Sequence, residues 1–247
     1  MRPATALWLL LAASTGAPSR APRPPPPVTH HWATPIWEDE LAAGIRRELE
    51  PRLTALAREL EGSVPSARKS NVGGWQSPPL SRRDHPALRD LAEHILTAAT
   101  LFVSEGLGAD MRRQRALLDG EYRLEMVSVW LNANRRHDYN VPHTHTDSFL
   151  SGVYWVSVSE GAAESSELVL SDPRVQLQQF EYFDWFGMGR QRRIVPTPGK
   201  LVLWPSWLSH RVEPVADDAK PLESEQSERI SVSFNLGFGP AEPRPNG

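Results

Sequence analysis

The chain reads as one mainly β domain, a sandwich or jelly roll, with two helices on its N-terminal side. Three observations predict it. Downstream of Gly120, short runs rich in β-branched and aromatic residues follow one another, broken by Gly, Pro and Asp. Upstream, apolar residues recur at helical spacing in two charged segments. No helical pattern separates the β runs, so parallel βαβ units are not expected, and no repeat of about 20–50 residues is visible. A length of 247 residues suits a single substantial core.

In chain order, Arg2 precedes the apolar run ALWLLLAA at 6–13, and small residues follow at Thr15, Gly16 and Ala17. This is the order of a signal peptide over residues 1–17, which would send the protein to the secretory pathway or an organelle lumen. The run is too short to span a bilayer. Residues 18–30 are rich in proline and read as an extended tether, so the folded domain is expected over residues 31–247.

Residues 38–62 place Leu41, Ile45, Leu49, Leu53, Leu56 and Leu60 on one side of a helix that Pro51 should kink or divide. A second helix is expected over 86–105, with Asp84 as N-cap, Pro86 in the first turn, and Gly106 and Gly108 ending it. Between them SNVGGWQSPPL reads as an ordered loop anchored by Trp75, to which periodicity alone assigns no function. His85 and His94 read as surface or core-edge residues. The β core should then occupy about 121–238, in the runs YRLEMVSVWL, FLSGVYWVSV, ELVL, VQLQQFEYF, KLVLW and RISVSFNLGF.

Composition narrows the chemistry. A formal charge of -3 from 27 basic and 30 acidic residues provides no field for nucleic acid or an anionic membrane surface. There is no cysteine, which excludes disulfides and thiolate metal sites alike. The informative stretch is VPHTHTDSFLSGVYWVSV at 141–158. His143, His145 and Asp147 stand at alternate positions, so an extended backbone sends all three side chains from one face. Imidazole and carboxylate suit iron or a similar first-row ion, and a further ligand must come from elsewhere. Downstream the sequence offers one histidine, His210.

The run RISVSFNLGF is polar at Arg229, Ser231, Ser233 and Asn235 and apolar at the residues between. Its polar face is either the solvated outside of a sandwich or the lining of an interior. In the second case Arg229 and Ser231 make a carboxylate clamp, since a guanidinium fork bonds both oxygens. Tyr154, beyond the histidines, either reaches the same pocket or packs in the core. Asn132 and Asn235 are further polar candidates. The segment Phe180–Arg193 combines five aromatic residues with three arginines and reads as a loop over the pocket mouth or as an ordinary hairpin.

These blocks together resemble the iron(II)- and 2-oxoglutarate-dependent oxygenases. They are ATPIW at 33–37, SNVGGWQS at 70–77, HTHTDSFLSGVYW at 143–155, LSDPR at 170–174, PSWLSHRV at 205–212 and RISVSFN at 229–235. The resemblance implies a double-stranded β-helix of the cupin-like jelly-roll type. It implies iron(II) held by the histidine block and His210, 2-oxoglutarate held by Arg229 and Ser231, and dioxygen as oxidant; Tyr154, on the strand after the ligands, either hydrogen-bonds the oxo acid or packs in the core. Two ligand registers stand: His143 with His145, or His145 with Asp147, each completed by His210. In the first, Asp147 is an outer group orienting an imidazole.

The expected activity is hydroxylation of a small molecule or peptide with release of succinate and CO2. Peptidyl proline is one such substrate by analogy. Two rivals are a cupin-type metalloenzyme that does not use 2-oxoglutarate and a jelly-roll binding module without catalysis. Arg229 and Ser231 argue against the cupin-type rival.

Overall fold

A computed structural model describes residues 33–106, 120, 122–163, 165–174, 190–214 and 227–240. The signal-like start, the proline tether, the run VQLQQFEYF and most of Phe180–Arg193 lie outside the described residues. The described body belongs to one compact unit, Thr34–Gly247.

Its strands are β1 (Trp37–Glu40), β2 (Asn71–Val72), β3 (Trp75–Gln76), β4 (Tyr122–Asn134), β5 (Tyr139–His143), β6 (Leu150–Val158), β7 (Leu168–Ser171), β8 (Gln191–Ile194), β9 (Lys200–Pro205), β10 (His210–Val212) and β11 (Arg229–Pro240). They form a six-stranded sheet in the order β1-β9-β6-β11-β4-β3 and a five-stranded sheet in the order β2-β5-β10-β7-β8. The strand pairs within both sheets are antiparallel. Helices α1 (Ala43–Ser63) and α2 (Pro86–Gly106) precede the long strands. No described helix is long and apolar enough to cross a membrane.

Strand alternation divides the six-stranded sheet into two faces. Leu131, Ala133, Tyr154, Val156, Leu201, Leu203, Ile230 and Val232 join the buried side chains of α1 and α2 in one apolar cluster. Val153, Trp155, Val202 and Trp204 instead pack with Leu168, Leu170, Ile194 and Leu208 in a second cluster with residues of the five-stranded sheet. The helices therefore cover one face, and the other is left for a cleft.

Three local expectations are corrected. Residues 38–40 are not the start of a helix: with Trp37 they pair with Lys200–Leu203 of β9, and Leu41 N donates to Gly199 O at 3.0 Å. Tertiary pairing at a sheet edge outweighs helical spacing there. Pro51 does not divide α1, which runs through it as one element. Both Pro51 and Arg47, whose carbonyl loses its helical donor, are exposed residues. Asp84 does not cap α2; its carboxylate accepts from Ser81 N at 2.7 Å, while His85 Nδ1 accepts from Ala87 N at 3.1 Å.

The segment 70–77 is more than an anchored loop. Gly73 and Gly74 have φ of 68° and 59°, a left-handed pair that joins β2 to β3 in a tight turn. A Cβ on Gly73 would overlap Asp138 Oδ1, so the turn is also pressed against the β4–β5 connection. Because β2 pairs with β5 and β3 with β4, this turn ties one sheet to the other. Trp75 anchors it by donating from Nε1 to Val64 O at 2.9 Å.

Candidate metal centre and co-substrate cleft

The cleft between the sheets has a volume of about 530 Å³. Its lining includes alternate residues of β4 (Ser128, Trp130, Asn132, Asn134) and of β11 (Arg229, Ser231, Ser233, Asn235). The polar face of RISVSFN is thus the lining of an interior, because β11 lies between β6 and β4 with the helices behind it.

His143 ends β5, His145 follows in the loop, and His210 opens β10 directly opposite His143. Their ligating ring nitrogens lie within 4.8 Å of one another. Backbone carbonyls orient two of the rings: Nδ1 of His143 is 2.8 Å from Val141 O, and Nδ1 of His210 is 2.9 Å from Leu208 O. Each Nδ1 carries the proton it donates, and each Nε2 keeps its lone pair. Burial holds all three imidazoles below their ordinary pKa, His145 to about 4 and His210 to about 3, with His143 a further cause in both. Three neutral nitrogen donors suit a first-row divalent ion.

Asp147 is not part of this group. The chain bends at Thr146 and Asp147, and the carboxylate is exposed. The alternation that places three side chains on one face stops with β5, so the spacing of Asp147 does not carry it to the histidines. The polar groups beside the rings are the carbonyls of Val141 and Leu208, Asn235, and Ser70, whose Oγ lies 3.3 Å from the Nε2 of His143 and would yield that nitrogen to a metal.

Arg229 is buried at 2 % exposure. Its Nη1 donates to Ser166 O at 2.9 Å and its Nη2 to Asn134 Oδ1 at 3.1 Å, both neutral acceptors. Its Nε is buried without a partner, and no carboxylate among the described residues forms an ion pair with it. Burial pulls its pKa down to about 10, and the more distant charge of Asp138 offsets this only in part. A buried cation with neutral neighbours and a free donor is costly unless an anion completes it. Ser231 lies two residues along the same face, its Oγ 3.5 Å from Asn132 Nδ2. The residues present therefore fit both groups that the resemblance implies: nitrogen donors for a metal and an unsatisfied guanidinium for a carboxylate.

The comparisons with known proteins agree. Residues 128–235 match the family model described as "Putative 2OG-Fe(II) oxygenase". The region 128–235 thus belongs to the 2OG-Fe(II) oxygenases. As an enzyme of that family it uses iron(II), 2-oxoglutarate and dioxygen. Solved structures share its jelly-roll fold. A Pseudomonas putida prolyl-4-hydroxylase matches at 14% identity over 83% of this chain and 92% of its own, with a TM-score of 0.54. A Trichoplax adhaerens prolyl hydroxylase, in complex with a peptide fragment of the hypoxia inducible factor oxygen degradation domain, matches at 11% identity over 82% and 83%, with a TM-score of 0.53. AviO1 from Streptomyces viridochromogenes Tue57 matches at 12% identity over 86% and 93%, with a TM-score of 0.53. No curated protein matches the chain in sequence.

Within this 2OG-Fe(II) oxygenase the cleft excludes Tyr154. Its hydroxyl donates to Glu50 Oε1 at 3.2 Å on the helical side, and Glu50 is bound by Arg46 at 2.9 Å. Burial, with Glu50 beside it, raises the phenol's pKa. The alternation of β6 sends Val153 and Trp155 to the cleft and Tyr154 to the helices. Other lining residues are new relative to the sequence reading. Ser70, Asn140, Trp130 and Trp204 all face the cleft, and Trp204 stands edge-on to His210 with ring centroids 4.9 Å apart. The polar or aromatic alternation of Ser128, Trp130, Asn132 and Asn134 was the available signal on β4.

Proposed function

We propose that the protein is an iron(II)- and 2-oxoglutarate-dependent dioxygenase that hydroxylates a small molecule or peptide and releases succinate and CO2. His143, His145 and His210 hold the iron, and Arg229 with Ser231 holds the distal carboxylate of 2-oxoglutarate. The carrying observation is Arg229: a buried guanidinium with an unpartnered Nε, lining the same cleft as three clustered imidazoles.

When bound, the iron and the oxo acid supply oxygen activation and the oxidant that attacks a C–H bond. The chain's own residues prepare the place. Val141 O and Leu208 O keep the Nδ1 protons of His143 and His210, so the opposite nitrogens stay available at neutral pH. Ser166 O and Asn134 Oδ1 hold the guanidinium still, which fixes where a carboxylate docks and aligns the oxo acid along the cleft. Trp130, Trp155 and Trp204 line the cleft with apolar surface that limits water around the reacting centre.

The mouth is bordered by the exposed Lys69, Val141 and Thr144. A peptide substrate is supported by the peptide complex of the Trichoplax adhaerens neighbour, whose fold is shared. The test is aerobic incubation of the purified protein with iron(II) and 2-oxoglutarate, with succinate measured. Iron-dependent succinate formation that Arg229→Ala removes is expected. Absence of both 2-oxoglutarate binding and succinate formation in the iron-loaded protein would overturn the reading.

A further inference from the structure

His143 and His210 are oriented alike, each by the carbonyl two residues earlier. His145 is not. Its Nδ1 faces the side-chain amide of Asn235 at 3.4 Å, with Asn235 on the central strand β11. That amide is held at both ends: Ser151 Oγ donates to Oδ1 at 2.8 Å, and Nδ2 donates to Ser128 Oγ at 3.2 Å. Both serines line the cleft with it. Beside them the β11–β4 ladder slips, Asn235 pairing with Ser128 and Leu236 with Met126, so that Val127 is an extra residue on β4. Such bulges turn a side chain away from its regular direction and cluster at functional sites.

A hydroxyl both donates and accepts, so Ser151 and Ser128 satisfy the amide whichever end points toward His145. With Oδ1 turned to the ring, the amide accepts a proton from Nδ1 and leaves Nε2 free, as the carbonyls do for the other two rings.

From this juxtaposition we infer that Asn235 is a positioning residue of the metal centre: its amide, gripped by Ser151 and Ser128, sets the ring orientation and tautomer of His145. The inference rests on the proposed assignment of His145 as an iron ligand. Trp130, whose ring centre lies 5.8 Å from that of His145, adds a wall but no hydrogen bond that would choose the tautomer.

The test uses the full chain and Co(II) as the probe, titrated without oxygen and followed by its visible spectrum, so that turnover is not needed. Removing an outer partner of a metal-bound histidine typically costs about 10–100-fold in metal affinity. Asn235→Leu is expected to lose affinity in that range and to alter the Co(II) spectrum, with the unfolding midpoint of the metal-free protein nearly unchanged. Asn235→Asp, which keeps an acceptor for the Nδ1 proton, is expected to restore affinity to at least the parent value. A merely structural role would not give that rescue. If Asn235→Leu fails to fold, Ser151→Ala with Ser128→Ala loosens the amide and is expected to weaken Co(II) binding several-fold. Parent-like binding in Asn235→Leu, or equal losses in the Leu and Asp variants, overturns the inference while leaving the metal assignment intact if His210→Ala still abolishes binding. Parent-like Co(II) binding in both His145→Ala and His210→Ala overturns the assignment, and the inference with it.

Discussion

His210 and His143 are direct cross-strand partners, the first residue of β10 opposite the last of β5, with ring centroids 4.2 Å apart. The pairing joins two segments nearly seventy residues apart into one site, with His145 a step beyond the strand end. The alanine variants of His143, His145 and His210 should therefore each lose iron(II) by at least about 100-fold, beyond the range for an outer partner. Asp147→Ala should retain it. Anaerobic iron titration of the four variants checks this, and metal loss in Asp147→Ala with retention in His143→Ala would move the site to the carboxylate register.

For Arg229 two effects of opposite sign are expected. Removing one partner of a buried charge pair typically costs about 3–5 kcal/mol, so Arg229→Ala should raise the 2-oxoglutarate requirement by about two to three and a half orders of magnitude. Arg229→Lys should recover little, lacking the planar fork. In the absence of 2-oxoglutarate, Arg229→Met should be as stable as the parent or more so, because the parent buries a cation between neutral acceptors. Thermal unfolding with and without the oxo acid separates these effects. A parent-like upward shift in the Met variant on adding 2-oxoglutarate would place the clamp elsewhere.

The metal-free protein should lose stability in mild acid. Burial holds His210 near pKa 3 in the fold, below about 6.5 for an unfolded histidine. Because the folded value is the lower one, the unfolded chain binds the proton first. Stability is complete above about pH 6.5 and falls as pH drops from there toward 3. His210 alone contributes a slope of up to about 1.4 kcal/mol per pH unit in that window. Denaturant unfolding between pH 7.5 and 5 should show at least this slope, since His143 and His145 are lowered in the same direction, and His210→Phe should reduce it by the His210 share. An equal slope in both proteins would refute the assignment.

Gly152 should tolerate no side chain. It pairs with Phe234 across β6 and β11, and a Cβ there would lie 2.8 Å from Leu203 Cδ2 and closer still to Phe234 Cζ. Gly152→Ala should cost about 1–3 kcal/mol by overpacking. Phe234→Leu in the same chain should recover part of the loss, measured as a double-mutant cycle. Additive losses would show that the clash is relieved some other way.

Much of the site was legible in the residues alone because its signals are local. Two histidines two positions apart, a guanidinium and a hydroxyl two positions apart, and the shift from helical to alternating spacing after Gly120 are all properties of short stretches of backbone. The positions of β4, β6, β7, β9 and β11 follow from the same period. Which face each period presents is not local. Tyr154 and Trp155 are equally plausible neighbours of the pocket until the packing of α1 against Tyr154 assigns the first to the helices. Asp147 shares its spacing with the histidines, yet the bend after His145 takes it out of the group, since the turn is set by the pairing of β5 and β10 and by the bond from His145 N to Ser206 O at 3.0 Å. Residues 38–40 fall at the start of the segment expected to be helical but are claimed by the edge of a sheet. The sequence by itself therefore determined the kind of chemistry, through residue types at fixed short spacings. Only the tertiary structure decided which of those residues meet, because strand order, sheet faces and the partner of each imidazole depend on pairings between segments far apart in the chain.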